Sequence, residues 1–191
     1  MVLVHFLISL FVVFFTAIPL WLCLFHWATH QKWMKTARVI YFSLPLAWIG
    51  VGYYLFLHPE FLFEPHFQPN LFTRGVGLIL FVFALIIDVN VIKTFGFRRL
   101  AMLPEFKQEK STEPFVATGI YERARHPRYA EYVLIALSVG FFFGYTMMFG
   151  YAVYLLGSFW IATLFEELEL VSRFGQAYKD YQKRVKRFFV I

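Results

Sequence analysis

Long apolar blocks alternate with polar segments along the chain, and the first three blocks predict membrane-spanning helices. They cover residues 2–25, 37–57 and 71–92, and each supplies about the 20 mostly apolar residues that a helix needs to cross a bilayer. The first block lacks a basic start and a small-residue cleavage site, and it is longer than a signal-peptide core. We therefore interpret it as a retained span.

The fourth apolar block, residues 129–165, is too long for a single crossing. Glycines interrupt it near Gly144–Gly150, and such breakers indicate a turn. The block therefore predicts a helical hairpin, which brings the expected number of spans to five. Its second helix is short in purely apolar terms, so we expect that helix to continue past Glu166 into water.

Basic residues alternate between the loops that these spans define. Seventeen of the 18 Lys and Arg residues lie in the loop after the first span, in segment 93–128 or in the tail 166–191, and Arg74 is the exception. The loop after the second span and the hairpin turn contain none. Because cytoplasmic loops carry the excess of Lys and Arg, the pattern predicts that the amino terminus is outside. Segment 93–128 and the tail are then cytoplasmic.

The composition agrees with a membrane protein and excludes other classes. Apolar residues occupy 60% of the 191 positions and charged residues only 16%, whereas soluble domains contain about 25% charged residues. The 22% of aromatic residues supply enough apolar surface to exclude a disordered chain. The net charge of +6 is typical of loops that face anionic lipid, so the expected partner is the bilayer and not nucleic acid. We expect one domain over residues 1–191, an all-α polytopic membrane helical bundle.

Cysteine and histidine usage indicates neither a redox site nor a metal site. Cys23 is the only cysteine, so an internal disulfide or a CxxC site cannot form. The histidines other than His126 are scattered without the spacing of metal ligands, so no metal is expected.

The segment around His126 and Pro127 carries the most chemical information. Proline disfavours helical backbone at the preceding residue and is well tolerated at the first helical position, so Pro127 predicts the start of the fourth span. The free N–H groups at a helix start carry partial positive charge and bind carboxylates or phosphates. Arg125 and Arg128 add further donors. The alternative interpretation is a basic collar at the membrane interface.

A second polar group, Glu166 and Glu167, lies at the cytoplasmic end of the fifth span. In a hairpin the start of one helix and the end of the next lie on the same side, so both carboxylates are expected near His126. Carboxylates so close to hydrocarbon are costly unless they are paired or functional. They therefore belong either to a functional site or to a salt bridge with Arg125 or Arg128.

The tail from Glu166 to Arg187 predicts an amphipathic helix with a bend at Gly175. Its apolar and aromatic residues recur at helical spacing between lysines and arginines; they are Phe174, Tyr178, Tyr181, Val185 and Phe188. Such a helix lies on the membrane surface or closes over a site beneath it.

Asp88 is an ionisable residue near the cytoplasmic end of the third span. At that depth a carboxylate is a functional candidate. The alternative is that it reaches towards water and pairs with Lys93 or Arg74.

The carboxyl-terminal motifs together resemble a known enzyme family. The matching positions, in order, are Gly119-Ile120-Tyr121, Arg125-His126-Pro127-Arg128-Tyr129, Glu166-Glu167, Phe174-Gly175, Tyr178, Tyr181 and Arg184-Val185. This ordered set resembles the isoprenylcysteine carboxyl methyltransferase family and its relatives, which include the phospholipid N-methyltransferases. The resemblance covers about residues 113–187.

The resemblance implies a membrane-embedded methyltransferase that uses S-adenosylmethionine in a cytoplasmic pocket and takes a lipophilic or small methyl acceptor. It implies no particular catalytic residue, since positioning and exclusion of water carry such a reaction. The implied cofactor-binding residues are Glu113, Phe115, Val116, Tyr121, His126, Pro127, Arg128, Tyr129, Glu166 and Glu167. The tail would then form a lid over the adenosyl part.

Three departures from the family pattern bear on the acceptor. Glu113 stands where the isoprenylcysteine enzymes have a histidine, and Ala162 stands where they have the arginine that meets the substrate carboxylate. No proline follows Arg184-Val185 in the last residues of the sequence. A prenylated cysteine is therefore a poor candidate, whereas a lipid amine, a thiol or another small lipophilic acceptor stays open.

Two alternatives compete with a methyltransferase. Membrane sterol reductases share an Arg-His-Pro segment and a similar tail but use NADPH; they usually have Asn after His-Pro, where this chain has Arg128, and the Glu166-Glu167 pair favours the methyltransferase. A non-catalytic membrane protein with a degenerate pocket is the other alternative.

Overall fold

The computed structural model describes residues 2–31, 33–63, 67–95 and 115–188, and within these ranges the chain is helical without any strand. The segments that join the helices are short, apart from the undescribed residues between α4 and α5. The elements are α1 Val2–His30, α2 Met34–Leu57, α3 Glu60–Phe63, α4 Leu71–Phe95, a 3₁₀ turn at Gly119–Glu122, α5 Pro127–Phe143, α6 Met147–Phe174 and α7 Gln176–Arg184.

Helix lengths confirm the helical membrane bundle. In the described part of the chain, α1, α2, α4 and α6 are long and apolar enough to cross a bilayer. The fifth long helix, α5, has 17 residues, which is at the short end of the range of roughly 17–25 for a span. Helix α6 has 28 residues and is about 42 Å long, so it exceeds a hydrocarbon core of about 30 Å and continues past Glu166 as predicted.

The five long helices pack in the order α2, α1, α6, α5, α4, so the first helix contacts the last long one. The core lies between α1, α5 and α6 and includes Tyr132, Leu155 and Phe159. The outer helices α2 and α4 expose large apolar side chains such as Phe56 and Phe72. In a membrane these side chains contact hydrocarbon, so their exposure costs nothing there.

The two ends of the bundle differ in their polar contacts. At one end His5 Nε2 lies 2.9 Å from the Tyr145 hydroxyl, which joins the start of α1 to the loop after α5. At the opposite end His26 Nδ1 lies 2.5 Å from Glu169 Oε2. We call this second end the basic end, since it holds the start of α5, the end of α6 and the tail. That the basic end faces the cytoplasm stays a prediction from the charge pattern.

The hairpin turn requires a glycine. Gly144 follows α5 in the left-handed conformation at φ +81°, which β-carbon-bearing residues adopt only under strain. A Cβ built at this position would lie 2.3 Å from the carbonyl oxygen of Phe67. The turn therefore has neither the backbone freedom nor the space for a side chain, and the chain divides where the sequence predicted.

The tail folds back over the start of α5. Gly175, at φ +58°, separates α6 from α7 and confirms the predicted bend. Helix α7 ends at Arg184 and the backbone is extended at Val185, so the prediction that the helix continues to Arg187 is wrong for its last three residues. The N–H groups of Arg125 and His126 donate to the carbonyl oxygens of Lys186 and Arg187 at 2.9 and 3.0 Å, because the extended segment runs beside them.

Candidate functional site

The candidate site is built around His126 and Pro127, where α5 begins. Pro127 is the first helical residue, and His126 before it has non-helical backbone at φ −128° and ψ 61°. His126 thus avoids the helical backbone conformation that a following proline disfavours. The side chain of His126, the N-cap residue, makes no capping hydrogen bond, so it does not neutralise the partial positive charge of the first-turn N–H groups.

His126 lies between the two carboxylates of α6. Its Nδ1 is 3.3 Å from Glu166 Oε2, and its Nε2 is 3.1 Å from Glu167 Oε1. A neutral imidazole has one N–H, so two carboxylate neighbours favour the doubly protonated ring. Burial lowers the pKa of His126, but the charges and hydrogen bonds of Glu166 and Glu167 raise it by more, so its net shift is upward.

Glu167 is the centre of an ion-pair network that holds the tail. Its Oε1 accepts from Arg125 Nε at 2.9 Å, and its Oε2 accepts from Arg187 Nη2 at 2.7 Å and from Gln182 Nε2 at 3.0 Å. Arg125 also donates to the carbonyl oxygens of Gln182 and Val185. Both oxygens of Glu167 are thus engaged by protein groups, and the predicted salt bridge to Arg125 is confirmed.

Glu166 is different, because it keeps an open oxygen. Its Oε2 accepts from the Tyr129 hydroxyl at 2.9 Å and faces His126. Its Oε1 has no hydrogen bond or ion pair with any residue that the structure describes, and the side chain is 23% exposed. Glu166 is therefore the carboxylate of the pair that a ligand can reach.

Aromatic rings from the tail surround Phe115 next to this cluster. Its ring centroid lies 5.4 Å from that of Phe174, 5.3 Å from Tyr178 and 5.2 Å from Tyr181. The Tyr181 hydroxyl donates to the Tyr121 carbonyl oxygen at 2.6 Å. These contacts attach the segment before α5 to the tail, so both sit over the basic end of the bundle.

The fold brings four of the ten sequence-predicted site residues into direct contact with one another. His126, Tyr129, Glu166 and Glu167 form one connected cluster at the start of α5. Arg128 instead lies with its guanidinium carbon 5.7 Å from the ring centre of Tyr132, and the described residues show no ion pair between it and either carboxylate. The remaining predicted residues are placed individually: Phe115 and Tyr121 contact the tail, Val116 is half-buried, Pro127 starts α5, and Glu113 lies outside the described residues.

Sequence reasoning missed three contributors to this end of the molecule. Arg187 and Gln182 bind Glu167, and only the basic character of the tail hinted at the arginine. His26, to which scattered spacing assigned no role, binds Glu169, whose other oxygen accepts from Arg173 at 3.0 Å. The Glu169–Arg173 spacing of four residues is a recognisable helical ion pair, but nothing local indicates the histidine.

Residues 72–181 match the family model described as phospholipid methyltransferase. A protein-S-isoprenylcysteine O-methyltransferase from Dictyostelium discoideum is 29% identical over 136 residues, which are 66% of this chain and 54% of the relative. The chain thus spans about half the length of that relative, and no solved structure matches it significantly. Because the matched region covers more than half of the chain and contains His126, Glu166 and Glu167, the chain belongs to the phospholipid methyltransferase family.

Proposed function

We propose that the protein is an integral membrane methyltransferase that uses S-adenosylmethionine at the cytoplasmic face and methylates a lipophilic or small acceptor. Membership of a methyltransferase family supports the reaction class. The observation that supports binding of S-adenosylmethionine is the open Oε1 of Glu166 beside the uncapped start of α5.

The residues at the basic end fit the polar groups of this cofactor. S-adenosylmethionine when bound supplies an electrophilic methyl group on a sulfonium. Glu166 Oε1 is an acceptor for an ammonium or a ribose hydroxyl. The first turn of α5 is a site for a carboxylate, because its N–H groups are uncapped. The engagement of His126 with both carboxylates keeps this arrangement fixed before a ligand arrives.

The tail acts as a cover in this proposal. Glu167 joins Arg125 and Arg187, so the extended segment after α7 is held across the start of α5. Phe115, Tyr178 and Tyr181 add an aromatic wall next to the site. Covering the site excludes water and holds two reactants in line, and such alignment supplies about 7–11 kcal/mol of a barrier. A strong general base on the cofactor side is then unnecessary.

The acceptor enters from the bilayer in this proposal, since α5 and α6 continue from the cluster into the membrane. Ala162 is fully buried one turn before Glu166 and offers no positive charge to an acceptor carboxylate. This favours acceptors other than a prenylated cysteine.

Binding of S-adenosylmethionine to purified protein in nanodiscs tests the proposal, with NADPH as the parallel ligand. We expect micromolar affinity for S-adenosylmethionine alone, and a loss of tenfold or more in Glu166→Gln. The matched control is Glu60→Gln, which removes the same charge from an exposed position at the opposite end.

Other outcomes identify the competing functions. Binding of NADPH alone indicates a sterol-reductase-like enzyme. Binding of neither ligand to folded protein indicates a non-catalytic membrane protein. Binding of S-adenosylmethionine that is unchanged in Glu166→Gln removes Glu166 from the cofactor site.

A further inference from the structure

Glu131 is a buried carboxylate that the proposed cofactor site does not use. It lies on α5 four residues after Pro127, about 6 Å further along the helix axis and on the same helix face. Its side chain is 5% exposed, and its Oε2 is buried without a hydrogen-bond partner among the described residues. A buried polar oxygen without a partner is unusual in a folded protein and calls for an explanation.

The charged groups near Glu131 do not satisfy its open oxygen. The charged groups that act on it are Asp88 from the neighbouring helix α4 and Arg128 from α5 itself. The described residues show no ion pair within 4 Å between Glu131 and Arg128, and the Arg128 guanidinium lies over the ring of Tyr132. Within the described part of α4, Asp88 shows no ion pair with Lys93 or Arg74, the two partners that its sequence position suggested. The open oxygen of Glu131 therefore has neither a hydrogen-bond donor nor a counter-ion among the described residues.

A bilayer makes an unpartnered carboxyl group costly, because ionisable groups in spanning helices are tolerated where they pair with each other or with a substrate. Helices α4 and α5 pack directly against each other, so Asp88 and Glu131 belong to one interface. A cation placed there satisfies the open oxygen of Glu131 and favours the ionised form of its carboxyl group. The site is also within about one helical turn of the start of α5, where the proposed cofactor site lies.

We propose that Glu131, supported by Asp88, determines acceptor specificity by binding the positively charged amine of a lipophilic acceptor. This inference rests on the proposed methyltransferase function, and it adds a residue that selects the substrate. An acceptor with a neutral hydroxyl forms only an uncharged hydrogen-bond donor contact with Glu131, and a negative head group is repelled.

The same contact prepares the amine for methylation. The bound ammonium transfers one proton to the Glu131 carboxylate, which gives a neutral amine and a neutral carboxylic acid. The nitrogen lone pair then forms the bond to the methyl carbon of S-adenosylmethionine as the carbon–sulfur bond breaks. The products are a methylated ammonium and a thioether, so charge and atoms balance.

The experiment compares two probes of equal chain length, dodecylamine and 1-dodecanol, on the full chain in phosphatidylcholine nanodiscs without cofactor. At neutral pH the amine is protonated, since its pKa is near that of lysine at about 10.4. We expect the wild type to bind dodecylamine at least tenfold more tightly than dodecanol after subtraction of empty nanodiscs. Glu131→Gln reduces this preference to less than twofold, Glu131→Asp retains part of it, and Glu60→Gln retains all of it.

Equal binding of the two probes by the wild type overturns the inference, and this comparison needs no variant. A preference that persists in folded Glu131→Gln also overturns it. If Glu131→Gln does not fold, the wild-type comparison and the charge-retaining Glu131→Asp decide.

S-adenosylmethionine binding, measured on the same samples, separates this inference from the proposed function. Cofactor binding without an amine preference overturns the acceptor site alone. An amine preference that depends on Glu131, without cofactor binding, overturns the methyltransferase alone. Loss of cofactor affinity in Glu131→Gln with an intact amine preference assigns Glu131 to the cofactor and overturns its role in specificity.

Discussion

Nε2 of His126 lies 3.1 Å from Oε1 of Glu167, although 41 residues separate them in the sequence. This contact joins the start of α5 to the end of α6. Glu167 also binds Arg187 of the tail, so the same carboxylate connects three segments that meet at the basic end. The geometry divides the two adjacent glutamates into a structural one, Glu167, and an accessible one, Glu166.

Replacing Glu167 with glutamine is expected to destabilise the fold. The change leaves Arg125, His126 and Arg187 without their shared counter-charge, and breaking a buried ion pair in this way costs about 3–5 kcal/mol. Denaturant titration in detergent micelles measures the free energy of unfolding, and limited proteolysis reports release of the tail. Glu60→Gln, which breaks only an exposed pair with His58, is expected to cost less than about 1 kcal/mol. Equal stability of the two variants would contradict the structural role of Glu167.

Stability is expected to depend on pH through His126. Burial lowers its pKa, but Glu166 and Glu167 raise it by more, so the folded state binds the proton more tightly than the unfolded state. The stabilisation is therefore complete below the ordinary imidazole pKa of about 6.5 and is lost as pH rises through the higher folded value. We expect the unfolding temperature to fall over this interval, and His126→Gln to flatten the decline. A decline of unchanged slope in that variant would assign the effect to other groups.

The hairpin turn provides a matched pair of glycine substitutions. Gly144→Ala places a Cβ in a left-handed residue against the Phe67 carbonyl, and the backbone strain alone costs roughly 1–2 kcal/mol. Gly150→Ala adds a Cβ with no atom within 4 Å inside α6, where alanine is favoured over glycine by up to about 1 kcal/mol. The unfolding temperature in detergent should therefore decrease for Gly144→Ala and increase for Gly150→Ala. An unchanged unfolding temperature in Gly144→Ala would contradict the left-handed turn at this position.

The predicted orientation can be tested with single cysteines. In a Cys23→Ser background, Glu60→Cys and Lys183→Cys place exposed thiols at opposite ends of the bundle. A membrane-impermeant maleimide added to intact cells should label position 60 and spare position 183, because the alternating basic loops place the tail in the cytoplasm. Labelling of position 183 alone would indicate the opposite orientation, with the tail outside.

Several features could be predicted from the sequence because they depend on local properties. Span lengths follow from runs of apolar residues, the start of α5 from the ring of Pro127, and the bend after α6 from Gly175. Since a hairpin returns the chain to the same side, the proximity of His126 to the glutamates could also be predicted. Each of these depends on the covalent structure of one residue or on a simple count along one helix.

Other features were decided only by tertiary structure. Which of Glu166 and Glu167 stays open depends on where the tail places Arg187 and Gln182, and that placement results from the packing of α7. The pairing of His26 with Glu169 depends on α1 lying against α6, a contact that spans 143 residues of sequence. The unpartnered oxygen of Glu131 and its closeness to Asp88 depend on how α4 meets α5. The sequence alone determined the helices and the end of the bundle where polar chemistry gathers, because hydrophobicity, proline and glycine act locally. Only the packed structure decided which charges are satisfied, because an ion pair requires two distant side chains to meet.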